Sequence, residues 1–365
     1  MIIGIPKEIK EEEYRVGILP KTVRKLVKSK HRVIIEKDAG IGAGIKNEDY
    51  EKEGGEIVES HSYIFKNSEL IVKVKEILPS EYDLLQEGQI IFTFFHFSSN
   101  IEMTKKLIEK KVTCIAYELV EEDGKLVILK PMSEIAGKLS VQQGMKYLEK
   151  EYFGKGVLLS GAEGVKKGKV VIIGGGTVGY NAAKIAYSIG AEVVIFEVDR
   201  EKIKFLKKEF PKGKVLYSEK EKIRNEVKNA DVIIGAVLVP GRKAPIIITK
   251  EDLKILEEGT VLVDVSIDEG GVFETSHPTT HKNPIFVYEG IVHYCVPNIP
   301  GVVPRTSTYA LCNVTEKYIL EIAKHGLKSF EISSGLKSGI SIKKGEIVNP
   351  KLSWAVQDLA PPPAF

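Results

Sequence analysis

At 365 residues the chain is long enough for two domains with separate cores, and 43% hydrophobic with 28% charged residues excludes a disordered chain. Its 53 basic and 50 acidic residues are interspersed and leave a net charge of +3, which gives no footprint for nucleic acid or a membrane surface. No apolar stretch approaches the roughly 18 residues of a membrane span, and Met1 leads straight into the strand-like IIGI, so the expected location is cytoplasmic.

Between residues 1 and 129, short apolar runs (IIGI, RVIIEK, LIVKVK, QIIFTFF, VTCIAYE) alternate with amphipathic stretches (TVRKLVKS, SYIFKNS, IEMTKKLIEKK). Strand and helix patterns taking turns predict crossover units on a mostly parallel sheet. LVEEDGKLVIL, residues 119–129, predicts a hairpin around Asp123 and Gly124. SEIAGKLSVQQGMKYLEKEY then predicts a long helix, with Ser133 as its N-cap, suited to crossing between domains. A second alternating series follows: KVVIIG, TVGYNAAKIAYSIG, EVVIFEV, REKIKFLKKEF, DVIIGAV, EDLKILEE and TVLVDVSI. After NIPGVVPRT, residues 298–306, comes another long helical pattern, STYALCNVTEKYILEIAKHG, and a tail ending in APPPAF. The roughly 60 residues of this last part are too few for an easy core of their own, so the chain is expected to return to the first domain. Cys114, Cys295 and Cys312 are far apart in apolar contexts and are expected to be buried, inert thiols outside any disulfide framework or zinc site.

Gly174, Gly176 and Gly179 form G-x-G-x-x-G between a β-rich run and a helical pattern. The first glycine allows a tight turn, the second lets backbone approach a pyrophosphate, and the third lets helix and strand pack closely. The helix N-terminus adds free N–H groups and a partial positive charge. The next strand ends in Glu197, at the spacing where an acid binds ribose hydroxyls. Glu197 would repel a 2′-phosphate and so favours NAD, while Arg200 keeps NADP open. IIGAVLVPG, residues 233–241, runs an apolar strand into a turn, with Val239 to Gly241 either facing ligand or forming a plain loop.

Four stretches are harder to explain as fold alone. Arg15 in EEEYRVGILP is either a surface charge or a group in a pocket. LIVKVKE places Lys73 and Lys75 on one face of a strand ending at Glu76, and charged residues at the end of a parallel strand lie where such sheets bind ligands. His96 ends the most aromatic run, IIFTFFHFSS, as either a satisfied core histidine or an acid/base. Asp268 in VDVSIDEGG either caps a turn before Gly270 and Gly271 or serves a site. Together an Arg, a Lys, a His and an Asp beside a nicotinamide would hold a carboxylate, polarise a carbonyl or imine, and move a proton, as a 2-keto or 2-amino acid dehydrogenase requires. His277 and His281 have metal-pair spacing, but Pro278 and the adjoining threonines favour a loop, and no metal is expected. His31, His61, His293 and His325 have no partner legible in the sequence.

IGIPKEIKEEEYRVGILP, LIVKVKE, FTFFHF, KPMSEIAGKLSVQ, IGGGTVGYNAAKIA, VDVSIDEGGVFETSHPTTH and YCVPNIPGVVPRTSTYAL, in that order, resemble the alanine dehydrogenase branch of the alanine dehydrogenase and pyridine nucleotide transhydrogenase family. The resemblance covers all but about the last 30 residues. It implies reversible oxidative deamination of L-alanine to pyruvate and ammonia with NAD, in a homo-oligomer, a hexamer in this family. On it, Arg15 and Lys75 would bind substrate, His96 would be the acid/base, and Asp268 would assist from the cofactor domain. Ser133, Ser218, Glu197, Val239 and Asn298 would join the glycine loop around NAD. The family more often carries Asp at the ribose position, so Glu197 is a departure, as is Pro297 before Asn298.

The expected fold is α/β: two doubly wound Rossmann-like domains with a cleft between them holding the active site. Residues 1–129, rejoined by 307–365, would form the substrate domain, and 130–306 the NAD domain. Two rivals remain: a nucleotide-binding subunit of a proton-translocating transhydrogenase, and a saccharopine dehydrogenase-like enzyme.

Overall fold

A computed structural model describes residues 1–97, 100–238 and 243–352. The chain divides into two compact units, Met1–Met132 with Val303–Phe365, and Ser133–Val302. Strands are β1 (Ile2–Ile5), β2 (Arg32–Glu36), β3 (Glu56–Val58), β4 (Leu70–Val72), β5 (Ile90–Thr93), β6 (Thr113–Ala116), β7 (Glu121–Glu122), β8 (Lys125–Leu126), β9 (Lys169–Ile173), β10 (Glu192–Glu197), β11 (Lys214–Tyr217), β12 (Val232–Gly235), β13 (Val261–Asp264), β14 (Ile285–Tyr288), β15 (Ile291–Tyr294), β16 (Ile340–Lys343) and β17 (Glu346–Ile347).

In the first unit the sheet order is β17-β16-β6-β5-β4-β1-β2-β3, with β1 to β6 parallel and β16 antiparallel to β6. The chain winds from β1 outward to β3, then returns to β4 and winds the other way, so the direction reverses between β1 and β4. Such a switch point leaves a crevice at the carboxyl ends of the strands. Strands buried on both faces read as unbroken apolar runs, and Ile71, Ile91, Phe65, Phe95, Met103 and Leu107 pack into one core. The helix Pro304–His325 belongs to this unit, and its Thr308 hydroxyl oxygen accepts from Val16 N at 3.2 Å, tying down the loop after β1.

The second unit repeats the winding in the order β11-β10-β9-β12-β13-β15-β14, parallel except for β14, with its switch point between β9 and β12. Val171, Val194, Phe196, Ile233 and Leu262 form its core. The doubly wound α/β expectation therefore holds in both units.

Three local expectations need correction or refinement. The long helix begins at Leu129 and runs to Tyr147, so Ser133 lies inside it and is not its N-cap. Pro131 falls in its first turn, where a missing N–H breaks no helical bond. The strand of LIVKVKE stops at Val72, which leaves Lys73 and Lys75 in the segment beyond it. The hairpin is present as β7 and β8, with Asp123 at φ 49° and Gly124 at φ 71°, the paired left-handed turn that suits strand twist.

Candidate active site

In the first unit Arg15, Lys75 and His96 all lie beyond carboxyl ends of neighbouring central strands: Arg15 after β1, Lys75 after β4 and His96 after β5. Each is anchored by a glutamate that the sequence reading had not singled out. Glu13 Oε1 accepts from Arg15 Nε at 2.7 Å and from its main-chain N at 3.0 Å, and Oε2 accepts from Nη2 at 2.6 Å. Burial alone would raise the Glu13 carboxyl, but the Arg15 charge and these hydrogen bonds hold it at about 2. The guanidinium is thereby fixed in orientation, and it approaches Met132 Sδ at 3.3 Å.

Glu8 Oε1 accepts from Val74 N at 2.6 Å and Lys75 N at 3.2 Å. Behind it, the Lys73 ammonium bridges Glu8 Oε2 at 3.4 Å and Glu81 Oε1 at 2.5 Å, all inside the protein. Glu81 accepts in turn from His61, whose other ring nitrogen lies 2.7 Å from Glu36 Oε2. The two lysines of LIVKVKE thus divide: Lys73 closes a buried ion network, and Lys75 stands on the loop that the network shapes.

Glu118, just past β6, accepts from His96 N at 2.7 Å. His96 adopts φ 50°, uncommon for a residue with a side chain, and is half-buried. The signal for Glu118 was available, because it follows an apolar strand just as His96 does. Glu8 and Glu13 sit in a charged loop where nothing in the sequence marks them as buried. A guanidinium, an ammonium and an imidazole along one sheet edge can hold a carboxylate, polarise a carbonyl and transfer a proton.

The second unit gathers the other candidates at its own carboxyl edge. The glycine loop joins β9 to the helix Thr177–Ser188, with Gly174 at φ 102°. A Cβ at Gly179 would stand 1.7 Å from Gly174 O, whereas one at Gly176 would meet nothing within 4 Å. The loop is closed at the third glycine and open at the second, as a cradle for a pyrophosphate needs. Gly137 lets the helix Leu129–Tyr147, and with it Ser133, pack against this turn: a Cβ there would fall 2.1 Å from Val178 O.

Glu197 ends β10 and is buried. Its Oε2 accepts from Gly175 N at 3.0 Å, and Oε1 from Val198 N at 2.7 Å and Asp199 N at 3.0 Å. A carboxylate offers about four acceptor positions, so these three bonds leave capacity for a hydroxyl donor. Ser218 follows β11 and donates its N–H to Glu197 O at 3.0 Å. Asp268 lies in the short turn Ile267–Glu269 after β13, and its Oδ2 is 3.5 Å from the main-chain N of Asn298, itself at φ 58°. Below them the buried Asp264 accepts from Val272 N at 2.9 Å and Ser276 Oγ at 2.6 Å, which pins the loop containing Gly270 and Gly271. Val239 lies outside the described residues.

Two further histidines have structural settings. His293 lies 2.7 Å from Thr275 Oγ1, and burial pushes it down to about 4. His277 stacks on Phe286 at 3.8 Å, and among the described residues no group of three or more His, Cys, Asp or Glu could hold a metal. All three cysteines are free and buried, with burial raising each thiol. Among the described residues no helix is long and apolar enough to cross a membrane.

Comparison with known proteins gives a consistent result. Residues 4–136 match the family described as alanine dehydrogenase/PNT, N-terminal domain, and residues 140–350 match its C-terminal domain. An alanine dehydrogenase of Methanococcus maripaludis is 47% identical, covering 100% of this chain and 98% of that protein. One from Bacillus subtilis is 45% identical over 95% of this chain and 92% of its own length. A solved L-alanine dehydrogenase superposes with a TM-score of 0.94 at 47% identity, covering 99% of this chain and 100% of that one. A Sinorhizobium meliloti transhydrogenase at 21% identity, TM-score 0.80, shares the fold. The chain belongs to the alanine dehydrogenase/PNT family.

Proposed function

We propose that this protein is an NAD-dependent L-alanine dehydrogenase, converting L-alanine reversibly to pyruvate and ammonia. The observation that carries the reading is the row of Arg15, Lys75 and His96 along one sheet edge, each fixed by its own glutamate. A carrier that only passes hydride between two nicotinamides has no use for a guanidinium, an ammonium and an imidazole preorganised in this way.

The glycine loop with Glu197, Ser218, Ser133 and Asn298 fits a dinucleotide, since its backbone leaves room at Gly176 and Glu197 retains acceptor capacity. A dinucleotide held there would supply the acceptor for the hydride at Cα of alanine. Arg15 pairs with the substrate carboxylate, already oriented by Glu13. Lys75 donates toward the carbonyl oxygen in one direction and steadies the amine-bearing carbon in the other. Neutral His96 removes a proton from the water that adds to the imine carbon and returns it to nitrogen; as the C–N bond of the carbinolamine breaks and ammonia leaves, the hydroxyl proton passes back to His96 and the ketone forms. Asp268 orients the water or stabilises the cationic imine. NAD is proposed over NADP because Glu197 repels a 2′-phosphate. A cytoplasmic homo-oligomer, a hexamer, completes the proposal on family resemblance, and light scattering checks the assembly.

The test is NADH formation by purified protein with L-alanine, with L-lysine plus 2-oxoglutarate, or with no amino acid but a second nicotinamide as acceptor. Turnover with L-alanine alone is expected. Turnover confined to the second arm would indicate a saccharopine dehydrogenase-like enzyme, and confined to the third a transhydrogenase subunit.

A further inference from the structure

We propose that Glu118 is a positioning residue for proton transfer, fixing the imidazole of His96 by accepting the main-chain N–H groups of Phe95 and His96. The proposal rests on the reading of His96 as acid/base. It starts from the way the chain leaves the sheet. β5 and β6 run parallel with Thr93 opposite Ala116, so Glu118 stands two residues beyond the last pair and faces the segment Phe94–His96 as it peels away. Leaving the ladder strands the N–H groups of Phe95 and His96, which must find other acceptors. Glu118 supplies them: Oε1 lies 2.7 Å from His96 N and 3.2 Å from Phe95 N, and Oε2 lies 3.3 Å from Phe95 N.

These bonds act where the backbone is strained. A side-chain-bearing residue at φ 50° is held at a cost of about 1–3 kcal/mol and persists only where its surroundings over-determine it. Two consecutive N–H groups converging on one carboxylate fix the peptide planes that lead into His96, the frame from which its φ and its Cα–Cβ bond are set. The direction of the imidazole follows from this backbone angle.

A second grip comes from the residue before Glu118. The buried Tyr117 meets the ring of Phe94 edge-on at 5.1 Å, and Phe94 lies parallel to the His96 ring at 5.8 Å. The pair Tyr117–Glu118 therefore holds Phe94–His96 twice, by a ring on one side chain and by a carboxylate on the backbone. Part of Glu118 reaches solvent, yet its carboxyl is enclosed by protein, which pushes it up to about 7 against the opposing hydrogen bonds and the nearby Lys75 charge. An acid placed at such expense has a task, and the bonds it makes show the task to be local geometry.

The experiment measures alanine deamination and NADH binding for Glu118→Gln and Glu118→Met, each alone and combined with His96→Ala. Both substitutions fill the space, but only glutamine keeps an acceptor oxygen. Glu118→Met is expected to lower kcat about 10- to 100-fold with the Kd for NADH within about twofold of the parent, since small misplacements of a catalytic group cost this much. Glu118→Gln should stay within about fivefold of the parent kcat. In the His96→Ala background the Met substitution should add less than about twofold, because the group it misplaces is gone. Unchanged kcat in Glu118→Met, equal damage from Gln and Met, or an undiminished loss without His96 would each overturn the proposal. Full turnover by His96→Ala alone overturns the acid/base reading and this proposal with it, whereas an additive loss on top of a crippled His96→Ala overturns this proposal only. Should Glu118→Met not fold, Glu118→Asp, whose shorter chain withdraws the carboxylate from both N–H groups, is scored in the same way.

Discussion

Lys73 Nζ lies 2.5 Å from Glu81 Oε1, with neither side chain exposed, whereas Lys75, two residues on, stands on the loop that Glu8 fixes. Removing one partner of a buried ion pair leaves an uncompensated charge and costs about 3–5 kcal/mol. Lys73→Met should therefore lower the melting temperature by many degrees. Lys75 is buried too, with its charge acting on Glu13, Glu76 and Glu118, so Lys75→Met should cost some stability but less than Lys73→Met, while reducing kcat/KM for alanine at least about 100-fold. Calorimetry and steady-state kinetics on both variants check this, and an equal thermal loss from the two would show that the division of labour is wrong.

His61 joins the same network from its outer end. Burial disfavours the imidazolium, but hydrogen bonds and charges from Glu36 and Glu81 outweigh it and lift the group from 6.5 to about 9. The folded state thus binds the proton more tightly than the unfolded chain. The resulting stability is complete below about pH 6.5, drains away as pH rises to about 9 and is absent above that. Its size is on the order of 2 kcal/mol, allowing for the partial exposure of the ring. Melting curves of the parent and His61→Gln from pH 6 to 10 should converge toward the alkaline end; a constant gap would show that the charge is not what His61 contributes.

Much of each unit's candidate set could be read from strand ends. Lys75, His96, Asp268 and Glu197 follow or end apolar runs, and a parallel sheet buried on both faces leaves charged residues at such positions; Arg15 instead follows the acidic stretch EEEY and precedes an apolar run. The glycine loop was legible because backbone geometry dictates residue type there: a Cβ at Gly179 would strike Gly174 O. What escaped were the anchors. Glu8, Glu13 and Glu81 look like solvated charges in a Lys-rich and Glu-rich chain, and only the fold shows them paired with Lys73, Arg15 and a loop backbone. The start of the helix at Leu129 escaped for a different reason. Ser133 has the chemistry of an N-cap, but Pro131 tolerates the first turn and the helix forms before the serine is reached.

Glu197 offers a test of cofactor choice. Its charge repels a 2′-phosphate, so Glu197→Ser should raise the ratio of kcat/KM for NADP over NAD by about tenfold, equivalent to roughly 1.4 kcal/mol. Its carboxylate also accepts from Gly175 N in the glycine loop, so efficiency with NAD should fall at the same time. A variant with unchanged preference would remove Glu197 from the ribose site and leave it a loop anchor.

His96→Ala separates proton transfer from cofactor binding. If the imidazole is the acid/base, turnover should fall by roughly 10² to 10⁴ while NADH affinity stays near that of the parent, because the ring serves neither phosphates nor ribose. Deamination by the parent enzyme should rise with pH through a group near neutrality, since only the neutral imidazole can take the proton from water. A second group bears on that profile, because burial pushes the Glu118 carboxyl up to about 7. Glu118→Gln distinguishes them: it removes the carboxyl and keeps the hydrogen-bond acceptor, so the rising limb should persist if His96 causes it. A limb that disappears with Glu118→Gln, or a His96→Ala variant that retains full alanine turnover, would leave His96 a satisfied histidine at the end of an aromatic strand.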